Sequence, residues 1–161
     1  GPSGTVDLSR LVEGEALTFE AVAFERELMW ECAIDKGITV RGSGTRLQRA
    51  VAVLLDNACK YTDPDGTVAV ALRAQAGEAI LAVRNTGAPI DAADLPHLFD
   101  RFYRADKART HNAVDSENDS IGGYGLGLAI ARDIAQAHKG AITVASTAQE
   151  GTTFTLRLPL T

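Results

Sequence analysis

Three clusters in this sequence carry side chains suited to holding a polyphosphate. Asn57, Lys60 and Tyr61 fall at i, i+3 and i+4 of a helix-patterned stretch, which puts them on one flank. Asn offers a neutral oxygen that can join a Mg²⁺ shell, and Lys offers a point charge for phosphate. Gly122-Gly123-Tyr124-Gly125-Leu126-Gly127-Leu128 opens a second such stretch, where glycines expose backbone N–H groups at a helix start that also favours anions. It is not a Walker A loop, since no Gly-Lys-Ser/Thr follows, and no strand precedes it as a dinucleotide fingerprint requires. Between the two lies Arg101-Phe102-Tyr103-Arg104-Ala105-Asp106-Lys107-Ala108-Arg109, whose arginines can fork onto pairs of phosphate oxygens. Each cluster alone also fits a blander reading: a polar helix edge, a flexible linker, a solvated charge run. Their combination and order are what carry information.

The elements that must position these groups follow from hydrophobic periodicity. Over residues 45–61, Leu47, Ala50, Val51, Leu54 and Ala58 form one helical stripe, and Thr62-Asp63-Pro64-Asp65-Gly66 stops it. Residues 124–138 repeat the pattern with Leu126, Ala129, Ile130, Ile134 and Ala137, and Gly140 stands just past the end. The polar stretch 105–123 between them has the composition of a mobile loop. Strands are predicted at 67–73, 79–84, 141–146 and 153–160. In the last, Phe154, Leu156 and Leu158 alternate with Thr155 and Arg157, so one face is buried and one solvated. Residues 5–26 read as a helix interrupted by Gly14, and 94–102 as a short helix. Residues 28–34 and 38–41 read as a hairpin around Asp35-Lys36-Gly37. The sum is an α+β fold, a mixed or mostly antiparallel sheet covered on one face by helices.

Composition bounds the function. The 161 residues amount to one domain, and a net charge of −5 disfavours gripping nucleic acid or anionic lipid through bulk electrostatics. The longest apolar run, residues 50–55, is far below the roughly 18 residues of a membrane span. Gly1-Pro2-Ser3-Gly4 resembles a cloning scar. Cys32 and Cys59 form no CxxC or Cys/His cluster; both sit in apolar-patterned segments and read as small buried hydrophobes, consistent with a reducing cytoplasm.

With five motifs in order, the chain resembles the catalytic ATP-binding domain of sensor histidine kinases, in the superfamily shared with gyrase B, Hsp90 and MutL. Leu55-Asp56-Asn57-Ala58-Cys59-Lys60-Tyr61-Thr62 resembles the N box, Asn85-Thr86-Gly87-Ala88-Pro89-Ile90 the first glycine box, and Leu98-Phe99-Asp100-Arg101-Phe102-Tyr103-Arg104 the F box. Gly123-Tyr124-Gly125-Leu126-Gly127-Leu128 resembles the second glycine box and Glu150-Gly151-Thr152-Thr153-Phe154 the closing Gly-Thr box. The resemblance spans about residues 5–160. It implies a two-layer sandwich, the Bergerat ATP-binding fold, with ATP between helices and a mobile lid over about 103–123. It implies cofactors ATP and Mg²⁺, with Asn57 as the metal ligand, Lys60 at a phosphate and Tyr61 against the nucleotide. Asn57, Lys60 and Arg104 would be the catalytic groups, and Arg109 would join Arg104 at the phosphates. Backbone approach would come at Gly123, Gly125 and Gly127. Asn85, Gly87, Ile90, Leu126, Leu128 and Thr153 would complete the nucleotide site, with Thr153 near the adenine and Phe99 and Phe102 anchoring the lid. Lys60, Arg104, Lys107 and Arg109 would gather positive charge around the ligand, within a chain that is acidic on average.

Two departures from the family pattern bear on chemistry. Val53 occupies the position where hydrolysing relatives carry a basic carboxylate, so little ATP hydrolysis is expected from this domain alone. Asn85 stands where the family places an Asp against the adenine amino group. Neither His97, His111 nor His138 is followed by an acidic residue in a helix-opening context, so the phosphate-accepting His is expected on a separate helical dimerisation domain. The further expected partner is a response regulator, in a full-length protein that is a membrane-tethered homodimer with this domain on the cytoplasmic side. A degenerate nucleotide-binding module, an anti-sigma serine kinase and another ATPase of the superfamily stay open as alternatives.

Overall fold

The computed structural model describes residues 4–103 and 126–161. Strand β1 (Gly4–Asp7) leads into helix α1 (Leu8–Glu25), whose first turn is capped by Asp7 accepting from the Arg10 N–H. This corrects the reading of 5–26 as one broken helix. Gly14 lies exposed in mid-helix, and its cost of about 1 kcal/mol cannot outweigh burial of the Leu8, Val12, Ala16, Phe19 and Ala23 stripe. Strands β2 (Met29–Ile34) and β3 (Thr39–Gly42) follow, then helix α2 (Gly44–Tyr61), β4 (Thr67–Gln75) and β5 (Glu78–Asn85). A 3₁₀ turn (Leu95–His97), helix α3 (Gly127–Ala137), β6 (Ala141–Thr147) and β7 (Gly151–Pro159) complete the described chain.

The main sheet has the order β2-β4-β5-β7-β6, with β2 parallel to β4 and every other pair antiparallel. Val70, Leu72, Leu81, Val83, Phe154 and Leu156 face the helices and are buried, and the α2 residues Leu47, Val51, Leu54 and Leu55 close the core with them. This is the helix-covered mixed sheet that the pattern implies.

Residues 28–34 and 38–41 do not form a hairpin. β3 pairs instead with β1, in a separate two-stranded sheet. The turn between β2 and β3 is held by α1: Ser9 Oγ donates to Asp35 O at 2.5 Å and accepts from Ile38 N at 3.0 Å, while Leu8 N donates to Ile38 O. Those bonds commit the turn to the helix start and send the two strands to different sheets. Residues 94–102 contain only the 3₁₀ turn, with Pro at its start, and Phe102 departs at φ 66°. Phe99 is buried edge-on to Phe154, as an anchor should be, but Phe102 is 71% exposed. Both cysteines are free; Cys59 is buried, and burial pushes its thiol up to about 11. Cys32, on the edge strand β2, is exposed rather than buried, because no further strand covers that side.

The two site-bearing helices are joined at the end remote from Asn57. His138, the C-cap of α3, donates from Nδ1 to Ile134 O at 2.7 Å and accepts at Nε2 from the N–H of Ser43, the N-cap of α2, at 3.1 Å. A Cβ on Gly42 would sit 2.1 Å from the ring, so Gly there makes room for it. Replacing His138 by Phe leaves the Ser43 N–H without its acceptor and should lower stability by about 1–3 kcal/mol. Urea unfolding reads this directly, and an unchanged midpoint would show that water satisfies the group.

Candidate functional site

Among the described residues, five buried polar side chains stand out from the apolar interior: Ser9, Asn57, Thr62, Asn85 and Thr152. Ser9 serves the turn described above. The other four belong to the C-terminal end of α2, the end of β5 and the start of β7, three segments that the fold brings together.

Thr62 Oγ1 closes the helix by donating to Ala58 O, and Arg26 reaches over from α1 to donate to Cys59 O at 2.9 Å. Asn85 pairs across the sheet with Thr152, which pairs in turn with Ser146. Thr152 Oγ1 and Ser146 Oγ are 2.7 Å apart, and Ser146 Oγ accepts the Ile90 N–H at 2.9 Å. This chain ties the first glycine box to β6 and β7. Gly87, at φ 136°, runs beside α2, where a Cβ would lie 3.7 Å from Tyr61 O. Gly151, at φ 79°, lets β7 begin against β5, where a Cβ would be 2.2 Å from Asn85 O.

Asn57 is 5% exposed, yet its amide has no hydrogen-bond partner among the described residues. The fully enclosed unpaired side-chain atoms among the described residues are Asp56 Oδ2 and Arg132 Nε, so the Asn57 amide keeps contact with the surface and is open to a ligand. One turn on, Lys60 Nζ lies 2.7 Å from Asp56 Oδ2 in a close ion pair whose alignment falls short of a hydrogen bond. Asp56 thus holds the ammonium beside Asn57, a neighbour that sequence reasoning missed although the i, i+4 spacing announces it. Asn85 donates weakly from Nδ2 to Thr86 O at 3.3 Å, which leaves Oδ1 as an acceptor.

The remaining predicted residues divide cleanly. Tyr61, at the end of α2, is 44% exposed. Ile90 and Leu128 pack against the core, Gly127 is buried as the first residue of α3, and Leu126 is its N-cap. Thr153 pairs with Arg84 and Ala145 on the face of the sheet away from the helices, whereas Thr152 shares the face of Asn85. The strand alternation therefore puts Thr152, not Thr153, beside the other site residues. Arg104, Arg109, Lys107, Gly123 and Gly125, with the lid expected over 103–123 from Arg104 onward, lie outside the described residues. Just before that segment the Tyr103 hydroxyl donates to Asp94 Oδ1; this bond to a carboxylate raises the phenol above its ordinary range. Among the described residues no three His, Cys, Asp or Glu side chains could hold a metal ion together, and no helix is long and apolar enough to cross a membrane.

Residues 42–161 match the family described as histidine kinase-, DNA gyrase B-, and HSP90-like ATPase. The chain belongs to that family of ATPase domains. Within it the similarity is to sensor histidine kinases: the sensor histidine kinase YkoH of Bacillus subtilis (strain 168) is 35% identical over 154 residues, 95% of this chain and 31% of that protein. The sensor histidine kinase CusS of Escherichia coli (strain K12) is 39% identical over 141 residues, 88% of this chain and 27% of that protein. A solved structure of the mycobacterial sensor histidine kinase MprB superposes with a TM-score of 0.77 at 28% identity, covering 99% of this chain and 98% of that one. The chain thus spans under a third of the length of these curated relatives.

Proposed function

We propose that this chain is the catalytic part of a sensor histidine kinase, which binds Mg-ATP and donates the γ-phosphoryl group to a His on a separate helical domain. From there the phosphate would pass to an aspartate of a response regulator. The observation that carries the proposal is Asn57: a nearly buried residue whose amide reaches the surface with no partner among the described residues, one turn from Lys60. Mg²⁺ suits this site, because it binds through few protein oxygens and keeps waters and phosphates as its other ligands. When bound, it would neutralise phosphate charge next to Asn57.

The protein's own work is positioning and electrostatics. Lys60, shared with Asp56, meets a phosphate. Arg104 and Arg109 fork onto phosphate oxygens, and the backbone of Gly123, Gly125 and Gly127 approaches them. Tyr61, Leu126 and Leu128 pack the nucleotide, and Gly87 and Ile90 shape the wall against which the base lies. Asn85 Oδ1 accepts from the adenine amino group, with Thr152 beside it in the role first given to Thr153. The γ-phosphorus–oxygen bond breaks as the acceptor nitrogen attacks, and no covalent intermediate forms on this chain. In the intact protein the domain would face the cytoplasm, next to the acceptor helices of a membrane-tethered homodimer.

Isothermal titration tests the binding step: one ATP per chain in Mg²⁺ is expected, and absence of binding at millimolar ATP contradicts the proposal. An amide at position 85 can turn over and present a donor to guanine O6, which a carboxylate cannot do. Asn85→Asp should therefore raise the ATP/GTP affinity ratio, by about ten-fold if a charge-assisted bond replaces a neutral one. Competition titrations giving equal ratios for both proteins would remove Asn85 from base selection.

A further inference from the structure

The other end of α2 carries a second feature that nucleotide binding does not use. A groove of about 490 Å³ lies there, lined in part by Arg41, Gly42, Ser43, Arg46, His138 and Lys139. Ser43 is fourteen residues before Asn57, which places the groove about 20 Å from that amide along the helix rise.

Its charge is mostly of one sign. Arg41, Arg46 and Lys139 are exposed, and none has an ion pair or hydrogen bond from its side chain to a described residue. No Asp or Glu is among the lining residues, and the one negative group at the groove is the α-carboxylate of Thr161, the last residue of this chain. In a chain with 21 acidic and 16 basic residues, three cations without an ion pair to a described residue, against one carboxylate, leave a local positive excess that runs against the composition. Water and salt screen these exposed charges from one another, and an anion seated between them would interact with all three at once. Lys139 also holds its place at a cost: its φ of 63° is the left-handed conformation that glycine usually takes after a helix.

The floor of the groove is rigid and does not compete for that anion. His138 has both ring nitrogens committed, to Ile134 O and the Ser43 N–H, which fixes the neutral tautomer. Ser43 Oγ accepts the Arg46 N–H and keeps its own hydrogen to donate. The volume falls within the range of small-molecule sites. Two guanidinium forks and one ammonium match the oxygens of a phosphorylated ligand.

We propose that this groove is a binding site for a small phosphate-bearing anion with two or more negative charges, separate from the nucleotide site. Inorganic pyrophosphate is the probe, titrated in metal-free buffer at constant ionic strength while amide shifts are followed by NMR. Because pyrophosphate can also enter the nucleotide site, the two are read apart by residue: Gly42, Ser43 and Lys139 report the groove, Asn57 and Gly87 the nucleotide site. Saturation at the groove amides is expected with a midpoint at or below about 1 mM. The variant Arg41→Gln/Lys139→Gln, two exposed positions whose loss leaves the core intact, should raise that midpoint about ten-fold or more and leave shifts at Asn57 unchanged. Shifts that climb linearly without saturating, a midpoint unmoved in the variant, or changes confined to Asn57 and Gly87 would overturn the proposal. Failure of the nucleotide proposal shows separately, as silence at Asn57 while the groove still saturates.

Discussion

Asn57→Ala should weaken Mg-dependent ATP binding by about 100-fold while leaving the fold almost as stable as before. The two halves of this expectation come from one fact, that the Asn57 amide has no hydrogen-bond partner among the described residues and is open to a ligand. A polar group that the protein itself does not pair contributes little to folding, so its removal strands no neighbour and should cost under about 1 kcal/mol. Toward a charged ligand the same group is worth about 1.5–3 kcal/mol, and the upper part of that range is a 100-fold change in affinity. Calorimetric titration and urea unfolding on the same variant separate the effects. A loss of 2 kcal/mol in stability with affinity unchanged would make Asn57 a core residue and take it out of the site.

Gly151→Ala should act through the opposite route. At φ 79° an alanine is strained, and its Cβ would lie 2.2 Å from Asn85 O and 3.0 Å from the Thr86 Cα. These are backbone atoms inside the β5–β7 pairing, and they cannot rotate away as a side chain could. Strain and overpacking together should cost about 2–4 kcal/mol, or roughly 5–15 °C in melting temperature for a chain of this size. Because Asn85 and Thr152 sit at this contact, nucleotide affinity should fall alongside stability. A variant that melts like the wild type would mean that β7 can shift its start without disturbing Asn85.

How far the sequence revealed this molecule depended on whether a signal was local. Helices α2 and α3 and strands β4 to β7 were legible because each carries its own periodicity and its own stop, such as Pro64 and Gly66 after α2. Strand β1 escaped because its four residues form a strand only by pairing with β3, some 35 positions away. The Asp35-Lys36-Gly37 turn misled for a related reason: it has hairpin chemistry, but Ser9 binds it to α1. Within the proposed site, Asn57, Lys60 and Asn85 were named from residue type and motif order, and the fold places them at the end of α2 and the end of β5. The motif names Thr153, and only the register of β7 against β5 shows that its neighbour Thr152 is the threonine paired with Asn85. Ser146 carried no sequence signal at all; its part appears only when β6 lies beside β7 and the hydroxyl meets both Thr152 and Ile90.

Phosphoryl transfer tests the central proposal most directly. The chain is incubated with γ-labelled ATP, Mg²⁺ and the separately purified acceptor-helix domain of the intact protein, and the label is followed by its acid-labile, base-stable chemistry. The proposal expects label on a histidine of the acceptor domain, none on this chain, and loss of the signal in Asn57→Ala. Tight ATP binding with no labelled acceptor would contradict it and leave a nucleotide-binding module in place of a kinase.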